Sequence, residues 1–268
     1  IDMKDESLES FKKAFKELKK KNIKNIVAII TNQNYNNLIQ TKDIEEFNIF
    51  LPLIHKNNIS KLKENIIYGG VDYEKQLKVL TKYSRKRGRS KEIQFYDNSL
   101  FGKILNKQLK QINKKLLFSK EIDDNSGKYA KYLKKNRRKL NSSTLFINTP
   151  MVKSSILLSQ LKANEVTPKK ILSTQINYTP LILSLTQARD RKNMLIANSI
   201  KDINKQLREN ILNLGNDIVY DWLAYSTLVG VDYFYTKDNR IEQKIINNQI
   251  QYDIKIYKAK YYSFLRVK

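Results

Sequence analysis

The chain has no cysteine, one histidine, four prolines and seven glycines in 268 residues. Without cysteine there is no disulfide framework and no thiolate metal site. A single histidine leaves neither a Cys-His pair nor a ligand set for zinc. A Ser-His-Asp triad would have to use His55, and no Gly-x-Ser-x-Gly elbow is present. Long apolar runs are also missing. The longest, such as 47–54, is far too short to span a bilayer. No signal peptide is visible. The sequence opens at Ile1 without an initiator Met, so the expectation is a processed product, longer at its N-terminus. Any signal or lipid anchor would lie in the removed part.

Acids are scarce: 26 Asp and Glu face 51 Lys and Arg, a formal net charge of +25. Such a charge favours anionic partners, namely nucleic acid, anionic lipid or an acidic polymer. Lys, Asn and Ile dominate throughout, and Lys falls on nearly every expected helix. The charge therefore reads as composition more than as a binding stripe. The basic runs 82–91 and 134–139, with Tyr83, Tyr129 and Tyr132 nearby, lack any RNP, OB or helix-turn-helix signature. They read as an exposed crossover and a solvated helix face. Asp123-Asp124 reads as a turn, and Asp190 between Arg189 and Arg191 as a surface ion-pair cluster.

What is present is a pattern. Hydrophobic residues make up 41%, enough for real cores. Residues 6–21 form an amphipathic helix, with Leu8, Phe11, Phe15 and Leu18 at helical spacing. Strands follow at 25–31, 47–54 and 65–68, with a short helix at 35–41. Pro52 suggests an edge position or an early end for the second strand. A helix at 72–82 leads to alternating strands and helices between 91 and 200: strands at 91–96, 116–122, 143–149, 170–176 and 193–200, helices at 100–112, 127–140, 151–165 and 180–189. Helices at 202–214 and 218–233 follow, the first stopped by Gly215. Asn247-Asn248 then marks a hairpin turn between strands 240–246 and 249–257, and 259–267 adds another strand.

Almost every strand ends in a small polar cluster, and open parallel sheets bind ligands at the carboxyl ends of their strands. The candidate ligand-binding residues are therefore Asn32, Gly69, Gly70, Asp97, Asn98, Ser99, Asn148, Thr149, Gln175, Asn198 and Ser199, with Asn177 similarly placed. Tyr73 stands beside the Gly69-Gly70 turn, and Tyr178 either stacks on a ligand or covers a strand end. His55 follows a strand and titrates near neutrality, although a lone loop histidine is more often an ordinary surface residue. Gly69-Gly70 could let amides approach an anion or simply form a tight strand-helix turn. Each Asn, Ser and Asp is singly explained as a helix cap. The chemistry is amides and hydroxyls, with few acid-base groups, no cofactor motif and no metal site.

This order of elements resembles the type I periplasmic-binding-protein fold of amino-acid receptors and of lipoprotein activators of penicillin-binding proteins. The segments LFINTPMVKSSILLSQ (145–160) and ILSTQINYTPLILSL (171–185) also resemble secreted proteins of this class. The resemblance implies a two-lobed α/β protein, with residues 1–84 and 201–268 in lobe one and 85–200 in lobe two. The family begins with a strand that is central to lobe one. This chain lacks it, so a vacancy in that sheet is expected. The resemblance further implies a non-enzymatic periplasmic or secreted protein, lipid-anchored in some members. It would act as an envelope scaffold or regulator, with a protein or peptidoglycan partner. The rival is a receptor that traps a small polar solute. Against it, the paired Arg and Asp that usually clamp an amino acid are missing. Nucleic-acid binding is a third and weaker alternative. Membrane attachment is expected only through a removed N-terminal anchor.

Overall fold

Ser7 accepts the amide N–H of Ser10 and opens α1 (Leu8–Lys20), which turns Phe11, Ala14 and Phe15 inward. The computed structural model describes residues 1–86, 88, 90–123, 126–236, 241 and 243–267. After α1 come β1 (Asn25–Val27), α2 (Tyr35–Ile39), β2 (Asn48–Leu51), β3 (Ile66–Tyr68) and α3 (Tyr73–Lys86). The alternating run is β4 (Glu92–Asp97), α4 (Leu100–Ile112), β5 (Leu116–Ile122), α5 (Ser126–Leu140), β6 (Thr144–Asn148), α6 (Met151–Ala163), β7 (Lys170–Ser173), α7 (Pro180–Leu185) and β8 (Met194–Asn198). Helices α8 (Lys205–Asn213) and α9 (Trp222–Thr236) precede β9 (Lys244–Ile246), β10 (Gln249–Gln251), β11 (Lys255–Ala259) and β12 (Phe264–Arg266).

The chain divides into two units, residues 1–72 with 200–253 and residues 73–199 with 254–268. The first unit holds a five-stranded sheet in the order β1-β2-β3-β10-β9. All neighbours are parallel except the β9–β10 hairpin, whose Asn247 and Asn248 take the positive φ that a two-residue turn demands. Side chains alternate across β2. Ile49 and Leu51 join Phe11, Phe15, Tyr35 and Leu38 on one face, while Phe50 joins Tyr225, Val229 and Tyr252 on the other. Both faces are covered, as parallel sheets require. β2 lies between β1 and β3 and is hydrogen-bonded to both. The expected vacancy from a lost central strand is not found between the described strands.

The second unit holds a seven-stranded sheet in the order β12-β11-β8-β7-β6-β4-β5. β4 to β8 are parallel, and β11 and β12 are antiparallel. Leu77, Leu80, Leu105, Leu109, Phe146 and Leu172 pack against it.

Several expectations are corrected here. Pro52 does not make β2 an edge; it ends the strand at Leu51. α3 continues through the expected crossover as far as Lys86, because Ser84 is buried and Tyr83 packs on the core. The remainder of that basic run includes Arg87 and Arg89, which lie outside the described residues, as do Asp124 and Arg240. The segment 249–257 is two strands in different sheets. Tyr252 is drawn into the first unit's core by Gly69 and Ser226, which breaks a run whose alternation alone looks continuous. The unit boundary consequently differs from the expected one. α3 packs on α4, and β11 pairs with β8, so residues 73–84 and 254–268 belong with the second unit.

Candidate functional site

β4, β6, β7 and β8 run parallel, so their carboxyl ends share one edge of the second unit's sheet. Asp97, Asn148, Thr149, Ser173, Thr174, Gln175, Asn198 and Ser199 stand on that edge, and all are buried. A buried polar group is costly unless it is hydrogen-bonded, so their partners decide what the edge can do.

Two networks use most of them. Gln76, one turn into α3, donates from Nε2 to Gln175 Oε1 (3.0 Å) and to Ser199 Oγ (2.8 Å). Gln76 Oε1 accepts the Gln175 backbone N–H, and Gln175 Oε1 accepts the Ser199 N–H, both at 2.9 Å. In the second network Asn177 donates to Ser173 Oγ (2.8 Å), Ser154 Oγ (3.0 Å) and the Thr149 carbonyl (3.3 Å). The Thr149 and Ser154 hydroxyls meet at 2.7 Å. Asp97 accepts the Ser99 hydroxyl at 2.9 Å and faces Lys153 at 3.6 Å. Ser99 in turn caps α4 by accepting the Gly102 N–H at 3.0 Å. A Cβ at Gly102 would collide with the Asp97 carboxylate and carbonyl, which is why the turn is glycine.

A remainder is unsatisfied. Both amide atoms of Asn148, the Thr174 hydroxyl and Asn177 Oδ1 are buried without a hydrogen-bond partner. Each such group costs about 1–3 kcal/mol. The three residues end or follow neighbouring strands β6 and β7.

The other expected site residues divide. Asn98 is exposed. Tyr73 is half-buried, with its ring edge-on to Phe101 at 4.9 Å, and burial pushes its hydroxyl pKa up to about 12. Tyr178 is buried against Tyr257 and Phe264, with centroids at 5.0 and 4.5 Å, so it covers β11 and β12.

Asn32, His55, Gly69 and Gly70 belong to the first unit. Asn32 is exposed and starts a single 3₁₀ turn. His55 is buried, not a surface residue. Its Nδ1 accepts the Asn57 N–H at 3.2 Å, which places the proton on Nε2, 3.6 Å from Asp72 Oδ2. The Gly69 N–H donates to the Leu51 carbonyl (2.8 Å) and the Gly70 N–H to the Ile54 carbonyl (2.9 Å). Neither amide is offered to an anion. Glycine is required there by packing, since a Cβ at Gly69 would lie 2.5 Å from Phe50 Cζ and one at Gly70 would meet the Ile54 carbonyl carbon.

Gln76, Lys153, Ser154 and Ser173 were not among the expected site residues. The available signal is position. Gln76 shares the inward face of α3 with Leu77 and Leu80, where a polar residue needs a buried partner, and Lys153 and Ser154 lie in the first turn after Asn148.

No family model and no curated protein matches the sequence. Solved structures do. The chain is similar to the C-domain of LpoA (YraM) from Haemophilus influenzae, a regulator of PBP1A, at 10% identity and a TM-score of 0.62, covering 96% of this chain and 86% of that one. It spans 50% of full-length LpoA from the same organism, with 11% identity, a TM-score of 0.61 and 96% of this chain covered. It is also similar to a branched-chain amino acid ABC transporter protein from Thermus thermophilus with bound valine, at 12% identity and a TM-score of 0.73, covering 98% and 82% of the two chains. At these identities the likeness lies in the fold: the chain has the α/β fold of the type I periplasmic-binding proteins, with parallel-dominated sheets flanked by helices.

Proposed function

We propose that this protein is a non-enzymatic scaffold or regulator that works outside the cytoplasm, periplasmic or secreted. The observation that carries the reading is the closed Gln76–Gln175–Ser199 network. Groups that a receptor would present to a solute are bonded to one another. Asp97, the carboxylate among the buried strand-end residues named above, faces Lys153 and accepts Ser99. Likeness in fold to a regulator of PBP1A makes a penicillin-binding protein the first partner to test.

A second reading rests on a specific observation. Asn148, Thr174 and Asn177 hold buried polar atoms with no partner, and a small polar solute would satisfy them. Thermal-shift screening with pooled amino acids, nucleosides, sugars and muropeptides separates the two. The scaffold reading expects no shift from any pool. A solute held at one hundred times its Kd would add about 2.7 kcal/mol. Such a shift, lost in Asn148→Leu, would replace the scaffold with a receptor.

A further inference from the structure

The net charge of the chain resides in one unit. The second unit holds 33 of the 51 Lys and Arg but 8 of the 26 acids, a net of +25; the first holds 18 of each and is neutral. A compositional drift toward lysine acts on the whole chain and would leave both units basic. The even spread expected from the sequence therefore fails once the chain is divided.

Within the second unit the charge is uneven again. In a parallel sheet, the ends of the helices and the turns entering the next strands share the amino edge. The segments there are 82–86, 91–92, 110–115, 137–143, 162–170 and 187–193, joined by the 258–262 turn that antiparallel pairing of β11 with β8 brings to the same side. Together they hold 18 cations and 3 acids, and each acid already faces an arginine: Glu92 with Arg85, Glu165 with Arg137, and Asp190 with Arg189. The carboxyl-edge segments 73–75, 97–103, 121–123, 148–153, 174–180 and 198–199 hold 3 cations and 4 acids. Cations in the last turn of a helix are favoured by its dipole. That accounts for Lys110 and Lys162 but not for Lys114, Lys115, Lys169 and Lys192, which lie beyond the helix ends and are exposed.

The same edge carries an aromatic tip. Tyr261 is 69% and Tyr262 95% exposed, yet the backbone beneath them is fixed. Arg191, 1% exposed, donates to the carbonyls of Lys260 and Tyr261. Two tyrosines are thus held out in solvent on a turn that Arg191 anchors and that also carries Lys258 and Lys260.

We propose that the amino edge of the second unit docks on an anionic lipid bilayer, with Tyr261 and Tyr262 entering the headgroup layer and the surrounding Lys and Arg facing lipid phosphates. Tyrosine settles at membrane–water interfaces, and charge spread over a whole edge suits a surface of spread opposite charge. Nucleic acid fits less well. Tyr83 and Tyr132, beside the basic runs, are half-buried and provide no stacking platform. No helix among the described residues is long and apolar enough to cross a membrane, so the contact is peripheral.

The test is co-sedimentation of the protein with phosphatidylcholine vesicles, with and without phosphatidylglycerol, in low and high salt. Binding is expected only with phosphatidylglycerol and only in low salt, where the Debye length is about 10 Å or more. Lys114→Glu with Lys115→Glu should weaken it about tenfold or more. Tyr261→Ser with Tyr262→Ser should weaken it too, and both pairs are exposed, so circular dichroism should be unchanged. Equal sedimentation with both vesicle types would overturn the proposal. So would binding that ignores the tyrosine pair and is displaced by a DNA oligonucleotide, which would make the edge a nucleic-acid surface.

Discussion

Gln76 and Gln175 exchange two hydrogen bonds, side chain to side chain at 3.0 Å and backbone N–H to side chain at 2.9 Å, across 99 residues of sequence. They fasten the first turn of α3 to the end of β7. Gln76→Leu keeps the volume and removes the bonds. It leaves the Gln175 N–H and the Ser199 hydroxyl buried and short of a partner. The expected loss is about 2–3 kcal/mol of unfolding free energy, measured by urea denaturation. A loss under about 0.5 kcal/mol would mean that water replaces the amide and that the network is not closed.

How much of this was legible follows from the kind of signal each feature leaves. The expected bounds 100–112 and 116–122 coincide with α4 and β5, because a Ser cap, a helical repeat and an apolar Leu-Leu-Phe start to the strand all agree there. Strand-end residues such as Asp97, Asn148 and Ser199 were visible because the parallel fold puts strand ends on one edge. Gln76 was not, since an inward polar residue on a helix has no pattern until its partner is known. The break after Gln251 was hidden for a similar reason: QIQYDIKIY keeps its period of two while changing sheets. Charge segregation could not be seen before the unit boundaries were known.

Phe50 sets the approach of α9 to the first sheet. A Cβ on Gly230 would collide with its ring, and one on Gly69 would lie 2.5 Å from Cζ. In an open helix Gly→Ala gains about 1 kcal/mol. Here Gly230→Ala should instead lose about 1–3 kcal/mol through overpacking. Phe50→Leu should relieve part of that loss, giving a favourable coupling of about 1 kcal/mol or more in a double-mutant cycle. Simple additivity of the two changes would show that Phe50 is not the obstacle.

Arg191 has no exposed surface to speak of and holds its partners without a salt bridge at their end. It reaches the Thr186 carbonyl and hydroxyl on one side and the carbonyls of Lys260 and Tyr261 on the other. Lysine cannot span both sets, because its donors sit on one atom. Arg191→Lys should lower stability by about 2–4 kcal/mol and loosen the 258–262 turn. Hydrogen exchange reads the second effect directly at Lys260, whose N–H donates to the Ser263 carbonyl at 2.9 Å. Unchanged protection at Lys260 would show that the turn stands without the arginine.

Glu6 ties the entry of α1 to the loop after β1. Its carboxylate accepts the Thr31 N–H (3.1 Å), the Thr31 hydroxyl (2.8 Å) and the Asn34 amide (2.8 Å). Partial burial opposes ionisation, but these donors outweigh it and hold the carboxyl below its ordinary range. A depressed folded-state pKa contributes stability that is fully present above the unfolded value, about 4.3, and is lost as pH falls through the folded value. The bonds should therefore act at full strength from neutral pH down to about pH 5 and fade below about pH 4. Glu6→Gln removes the titrating group while leaving an acceptor in place. The stability difference between the native protein and this variant should be constant from pH 7 to about pH 5 and shrink in acid. A difference that stays constant into acid would assign the effect to packing at Glu6 and not to its charge.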